Sequence, residues 1–453
     1  MTRIVSDFDP VVTRQPSPAV HGQGPVVTDD HYEQILGALA AHPDLQGENV
    51  RLGERAGSGL RRFLAAAGVA GLALTVLGAF VHSPAHALAS FEVGLFTVLA
   101  CCLGSLFFVM VFHATNTHWA TTIRRPLEHA AGLIWLPLLG MAAVIVIELL
   151  SSVFTGHGVL FQWLSAEERG NHLLQMKGGY LSIGFMLFRF VVYGGLWLFL
   201  ARSLGSMSRE QDVTGDRKLT VAMRRRSTWG ILVFALSVAF ASFDFLMSLD
   251  YRFYSTMWGV YFFAGSAMTG LAVCAIVVSC LRLTGRLTGV VTDEHYHDLG
   301  KLVFAFGACF WGYIAFSQYF LIWYSNIPEE TAYFNFRKSG GWEHLSTILV
   351  IGHFIVPFFL LISRKVKRNV VLLALMAGYL IVMQVLDMTW IIRPMAYAES
   401  SPAGPTSWWL DVVASAGALA LFGSLLIGAI RSAPLVPIKD PRLLKSLEHH
   451  NYV

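Results

Sequence analysis

Seven polar side chains interrupt long apolar runs of this 453-residue chain, and their types are those that carry protons or bind polar ligands. An ionisable group in hydrocarbon costs about 2.5 kcal/mol or more, so each needs a partner or a function. Carboxyl and imidazole groups in such a setting are typical of proton relays. The seven are Glu148, Arg189, Asp244, Gln318, His344, His353 and Asp387.

Two of these groups also have structural interpretations. Arg189 could pair with Asp244 or with Glu148 and so fix the packing of helices. His353 could be a core histidine with satisfied hydrogen bonds, a proton carrier or a haem ligand. A haem held by two histidines would need a second one at the same depth, and His344 lies near the outer end of its run.

Pro357 favours a functional interpretation of His353, which lies four residues earlier. Proline lacks the amide that would bond to the His353 carbonyl, and in lipid that freed oxygen must find a side chain or water. A hydrated, kinked helix beside an imidazole suits a proton path. The same kink is also a common packing device.

The composition restricts the class of protein. Charged residues are 14% and hydrophobic residues 55% of the chain, whereas soluble domains carry about 25% charge. A soluble multidomain enzyme and a disordered chain are both excluded. All five cysteines lie in apolar runs without CxxC spacing, so the sequence predicts no metal site and no cofactor held by the chain's own residues. It predicts no nucleic-acid partner.

Ten apolar runs of about 20 residues predict an all-α polytopic membrane protein with ten transmembrane helices. A polar segment, 1–62, precedes the first run. Its residues from Thr28 predict a short helix to about Ala41, with Asp30 and Glu33 at capping-box spacing. That helix could be a solvated surface element or could dock a partner. The predicted spans are 63–82, 91–113, 131–154, 179–201, 229–249, 257–281, 301–325, 342–363, 370–392 and 408–430.

The positive charges beside these spans predict their direction. One side receives 24 Lys and Arg residues and the other receives 6. Because Lys and Arg accumulate in cytoplasmic loops, both termini are predicted to be cytoplasmic, including the tail 431–453.

Two parts of the chain resemble each other. Each contains an outer loop with Glu-Glu and then a Gly-Gly-aromatic sequence, at Gly178 and at Gly340. Asp244 follows a basic cluster by 18 residues and Asp387 follows one by 19, so both acids lie roughly 27–28 Å from the inner surface. We interpret 91–249 and 257–392 as two four-helix bundles in parallel orientation, with the first and tenth spans as additions.

Several longer segments resemble the ActF family of membrane subunits of bacterial alternative complex III, a quinol:cytochrome c oxidoreductase. The segments that carry the resemblance are 243–250, 253–256, 259–265, 298–301 and 313–331. The resemblance implies the fold of NrfD/polysulfide-reductase-type subunits, built of two four-helix bundles, in the bacterial inner membrane. It implies an ActC-like paralogous membrane subunit, an iron–sulfur subunit, multihaem and monohaem cytochromes c, small membrane subunits and sometimes a terminal oxidase as partners.

The resemblance implies a subunit without a redox centre that conducts or stages protons during quinol oxidation. Two alternatives stay open, namely a quinone-binding subunit near the periplasmic side and a purely structural scaffold. A free-standing solute carrier is a more distant one. The inner halves of the spans are largely apolar, so the sequence displays no continuous proton path from the cytoplasm.

Overall fold

The structure, a computed structural model, describes residues 29–53, 55–397 and 407–451. These residues form ten helices that are long and apolar enough to span a membrane. Every regular element among these residues is helical. The predicted all-α polytopic membrane fold is therefore confirmed. Spans one to ten are Ser58–Val81, Pro84–Ala114, Trp119–Thr155, Ile183–Thr214, Arg217–Asp250, Trp258–Leu283, Asp293–Ser325, Trp342–Ile362, Val370–Ala396 and Trp408–Arg431.

Span two begins seven residues before its predicted start at position 91. Ser83 accepts a hydrogen bond from the amide of His86, and Pro84 occupies the first helical turn. Serine at the N-cap followed by proline is a common helix start. Glu92, which lies within the predicted span 91–113, is fully buried in this helix.

The helices form two closed rings. Spans two, three, four and five contact one another in that order, and span five returns to span two. Spans six to nine repeat the same cyclic arrangement. Spans one and ten pack against each other and against span two. We call the rings the first bundle and the second bundle.

The two bundles meet along spans two and six, where the backbones approach closely. A Cβ atom on Gly104 would lie 1.7 Å from the carbonyl oxygen of Ser266. One on Gly270 would lie 2.3 Å from the carbonyl carbon of Gly104. Small residues permit this contact, which in membranes replaces the hydrophobic effect as a source of helix association.

Replacing Gly104 by leucine should therefore separate the bundles. Over-packing a core typically costs about 1–3 kcal/mol, and the backbone contact at Gly104 places the loss at the upper end. Thermal unfolding of the purified protein in detergent measures it. Gly195→Leu is the matched control, since no atom lies within 4 Å of its added Cβ. Equal stability of the two variants would contradict the proposed packing.

Buried ion pairs close the end that the charge count assigns to the cytoplasm, here called the inner end. Asp440 of the C-terminal tail accepts hydrogen bonds from Arg124 at 2.8 Å and from Arg442 at 2.7 Å. Arg124 also binds Glu128 at 2.8 Å. All four side chains are at least 96% buried, so the tail is part of the folded structure.

The N-terminal segment is folded onto the same end. The predicted short helix is present as Asp29–Ala41. Its Tyr32 is buried, and the Tyr32 hydroxyl donates to the Gly215 carbonyl at 2.5 Å. Burial is the main cause that raises the Tyr32 pKa to about 12. The helix thus docks on this chain through Tyr32, whereas the side chain of the predicted cap Asp30 lies outside the described residues.

Candidate functional site

The carboxyl group of Asp387 is the centre of the second bundle's polar site. It lies on span nine and is 1% exposed. The Tyr261 hydroxyl donates to Oδ1, and the Trp311 Nε1–H donates to Oδ2 at 3.3 Å. Both donors are neutral. This carboxyl group can therefore gain or lose a proton without breaking an ion pair with either of them.

His353 lies against the same tryptophan. Its ring stacks on Trp311 with centroids 3.7 Å apart and planes inclined by 16°. Nε2 lies 3.1 Å from the sulfur of Met268, and Nδ1 has no hydrogen-bond partner among the described residues. The imidazole is fully buried. One tryptophan thus joins the predicted histidine and the predicted acid in a single cluster.

The backbone on both sides of this cluster is π-helical. Span seven contains the segment Ala305–Phe310 directly before Trp311, and span eight contains Leu349–Ile355, which carries His353. The two segments contact each other. The π segment of span eight ends two residues before Pro357, where the sequence predicts a kink. Such insertions are rare and concentrate at functional sites.

Two glutamines of the second bundle are buried near the Asp387 cluster, whereas His344 is not. Gln384 is fully buried, and neither of its amide atoms has a hydrogen-bond partner among the described residues. Gly265 leaves room for it, since a Cβ there would lie 2.5 Å from Gln384 Oε1. Gln318 is 4% exposed and lines an adjacent cavity. His344 is exposed, so it does not join the buried cluster.

Asp244, the equivalent acid of the first bundle, is neutralised by a cation. Arg189 donates to it through Nη2 at 2.7 Å and through Nε at 2.9 Å. The guanidinium also donates to the Tyr180 carbonyl at 3.1 Å and stacks on the Tyr180 ring at 3.9 Å. The pairing left open by the sequence is therefore Arg189 with Asp244. A proton added to this acid would break the ion pair.

Glu148 is held by the outer loop instead of by a cation. Its two oxygens accept hydrogen bonds from the amides of Val159 and Leu160, both at 2.8 Å. A carboxylate that receives backbone N–H groups is positioned without a counter-ion. Glu92 on span two is 0% exposed, and neither carboxyl oxygen has a hydrogen-bond partner among the described residues. Its signal was available in the sequence, since a glutamate at position 92 lies inside the predicted span 91–113.

A large apolar cavity adjoins the Asp387 cluster. Its volume is about 920 Å³, and Tyr261 and Trp311 line it together with Gln318. The Tyr261 hydroxyl group bonds to Asp387, so this phenol connects the acid with the cavity wall. In the sequence, Tyr261 stands out only as part of the segment 259–265, which carries the family resemblance. The feature that could have identified Tyr261 as a candidate site residue is its hydroxyl group within an apolar run.

The seven predicted residues thus fall into separate groups. His353 and Asp387 share one cluster, with Gln318 in the adjoining cavity, whereas Arg189 pairs with Asp244 in the other bundle. In the described part of the chain, no group of three or more His, Cys, Asp or Glu side chains is arranged to hold a metal ion.

Comparison with known proteins adds no assignment. No family model matches the sequence, and the search of curated proteins returns no match. What this polytopic membrane protein does must therefore be inferred from the geometry of the Asp387 cluster and from the segments that carry the resemblance.

Proposed function

We propose that the chain is a membrane subunit without a redox centre in a quinol:cytochrome c oxidoreductase of the alternative complex III type, and that its second bundle stages protons at Asp387. The observation that supports this role most is the environment of Asp387. It is a fully buried carboxyl group hydrogen-bonded by a phenol and an indole. The identity of the complex, its ActC-like, iron–sulfur and cytochrome partners, and the location in the bacterial inner membrane are inferred from the sequence resemblance.

The different environments of the two acids support different roles for the two bundles. In the first bundle, the equivalent acid is held in a bidentate ion pair, which specifies packing and would be broken by an added proton. In the second bundle, the acid meets a hydroxyl group that can both donate and accept a proton. His353, stacked on Trp311, provides a second titratable group in the same cluster. Proton exchange therefore belongs to the second bundle.

The local step that we propose uses only these side chains. A proton reaches Asp387 through the Tyr261 hydroxyl, because this group bonds to the carboxyl oxygen and belongs to a residue of the cavity wall. Tyr261 is 5% exposed and lies beside the apolar cavity, which limits the access of bulk water to the acid. Trp311 holds the other carboxyl oxygen and keeps its orientation constant.

The test replaces Asp387 by asparagine in the intact complex. The variant retains an acceptor for Tyr261 but no exchangeable carboxyl proton. We expect assembly to survive and the number of protons released per electron to fall, with a partial fall in Tyr261→Phe. Proton release and cytochrome reduction are measured together in membrane vesicles. Tyr324→Phe is the matched control, since Tyr324 is 76% exposed and does not line the cavity.

Two results would count against the proposal. An unchanged proton-to-electron ratio in assembled Asp387→Asn complex would exclude a proton role for this acid. Dissociation of the complex in both Asp387→Asn and Tyr261→Phe, without an assembled but uncoupled form, would favour the structural scaffold instead.

A further inference from the structure

The 920 Å³ cavity is lined mainly by spans seven and eight, and Trp258, Tyr261 and Trp390 of spans six and nine complete its wall. Its walls include side chains that are largely exposed on the lipid-facing surface, with Phe316 at 65% and Val350 at 57%. Both helices carry π segments at the depth where the cavity begins. A cleft of this size with an apolar wall is accessible to hydrocarbon chains from the bilayer.

The polar part of the wall provides donors and positive charge. Arg337 and Lys338 line the cavity, and none of its lining residues is Asp or Glu. Gln318 and Trp258 also line it; each is at least 96% buried, and Gln318 Nε2 and Trp258 Nε1 have no hydrogen-bond partner among the described residues. Buried donors without partners are costly, so a ligand that brings acceptors would stabilise the site.

The two cations have different roles. Arg337 is 1% exposed and donates to the carbonyls of Trp390 and Ile391, both at 2.9 Å, near the end of span nine. A cation at this carbonyl-rich helix end is favourably placed, and its geometry is fixed. Lys338 is exposed, with Nζ 4.9 Å from the Tyr319 ring. Lys338 is therefore free to move toward a headgroup at the mouth.

We propose that this cleft binds one anionic phospholipid from the leaflet that the charge count assigns to the outer side. Its acyl chains would lie in the apolar cleft between spans seven and eight. Its phosphate and ester oxygens would accept hydrogen bonds from Lys338 and from the buried donors of Gln318 and Trp258. Basic pockets between transmembrane helices bind anionic headgroups through the same complementarity. The proposal goes beyond proton staging and does not depend on it.

The charge of the wall is what distinguishes this ligand from other amphiphiles. A zwitterionic lipid would place a positive headgroup beside Lys338 and Arg337. A quinone could use the same buried donors, but it brings no charge for Lys338. Preference for an anionic headgroup is therefore the specific expectation, and quinone occupancy is an outcome that the experiment must separate.

The test measures lipid retained on the full chain, in its complex, after reconstitution into vesicles of phosphatidylglycerol and phosphatidylcholine. Native mass spectrometry and analysis of extracted lipids count the bound molecules. We expect one retained phosphatidylglycerol. Ala315→Trp should abolish retention, because Ala315 lies on the wall and the indole would fill the cleft. Lys338→Gln should weaken it about fivefold, the effect of one basic residue near a membrane surface.

Matched controls separate this site from general binding of lipid. Leu375→Trp places the same indole on a surface position that is 64% exposed, and Lys365→Gln removes an exposed lysine elsewhere. Neither residue lines the cleft. Equal retention in Ala315→Trp and wild type would overturn the proposal. So would equal retention of both lipids, or displacement of phosphatidylglycerol by added menaquinone at equimolar concentration.

Discussion

Replacing Arg189 by leucine should lower the free energy of unfolding by about 3–5 kcal/mol, the range for removing one partner of a buried ion pair. The reason is that Asp244 is 1% exposed and receives hydrogen bonds from two nitrogens of this guanidinium. Its carboxylate would remain in a low-dielectric interior without that compensation. Thermal or denaturant-induced unfolding of the purified protein in detergent measures the loss.

The double variant Arg189→Leu/Asp244→Leu should recover much of this stability. Removing both charges removes the desolvation cost that the single variant exposes. Arg252→Leu is the control, because its pair with Glu168 is half-exposed on the arginine side and should contribute less than about 1 kcal/mol. If the single Arg189 variant were as stable as this control, the pair would not determine the packing of the first bundle.

Replacing Asp440 by asparagine should release the C-terminal tail from the inner end. Arg124 and Arg442 would both lose the carboxylate that they contact, and both are at least 96% buried. Breaking buried pairs of this kind costs about 3–5 kcal/mol. Limited proteolysis at the tail at neutral pH provides the measurement. Glu448→Gln, at an exposed position of the same tail, is the control and should leave cleavage unchanged.

The pH dependence of tail docking follows from the same contacts. Burial acts to raise the pKa of Asp440, but the guanidinium groups of Arg124 and Arg442 outweigh it and hold this pKa well below its usual range. A depressed folded-state pKa stabilises the fold above the unfolded pKa, about 3.9 for aspartate. That contribution is lost only as the pH falls from there through the folded pKa.

Wild-type tail docking should therefore persist from neutral pH down to about pH 4 and weaken below it. The Asp440→Asn variant should show increased cleavage across this whole range. The difference in cleavage rate between this variant and the wild type should become smaller only in stronger acid. An acid-resistant protease such as pepsin extends the measurement to low pH. Tail release in the wild type between pH 7 and pH 5 would contradict the assignment of Asp440 as the charged centre of this contact.

The sequence predicted the positions of the polar residues along the spans better than it predicted their hydrogen-bond partners. The repeat placed Asp244 and Asp387 at equivalent positions, and both are buried. It could not reveal that one acid meets Arg189 and the other meets Tyr261, because those residues are 55 and 126 positions away along the chain. A repeat conserves depth along the helix, whereas the partner depends on which face each neighbouring helix presents.

Two features of the molecule became clear only from the folded structure. The tail 431–453 was predicted by its charges to lie on the cytoplasmic side, but its burial against Arg124 involves contacts 316 residues apart. Glu92 was missed as a candidate although it lies inside the predicted span 91–113, and its full burial depends on which face of span two turns toward the other helices.

The sequence by itself determined the ten membrane spans, since hydrocarbon accepts only long apolar helices whose backbone groups are satisfied within the segment. It also determined the depth of each polar group, because an α-helix rises by a fixed amount per residue. The tertiary structure decided the rotation of each helix about its axis. That rotation brought Trp311 between His353 and Asp387, paired Arg189 with Asp244, and opened the cleft between spans seven and eight.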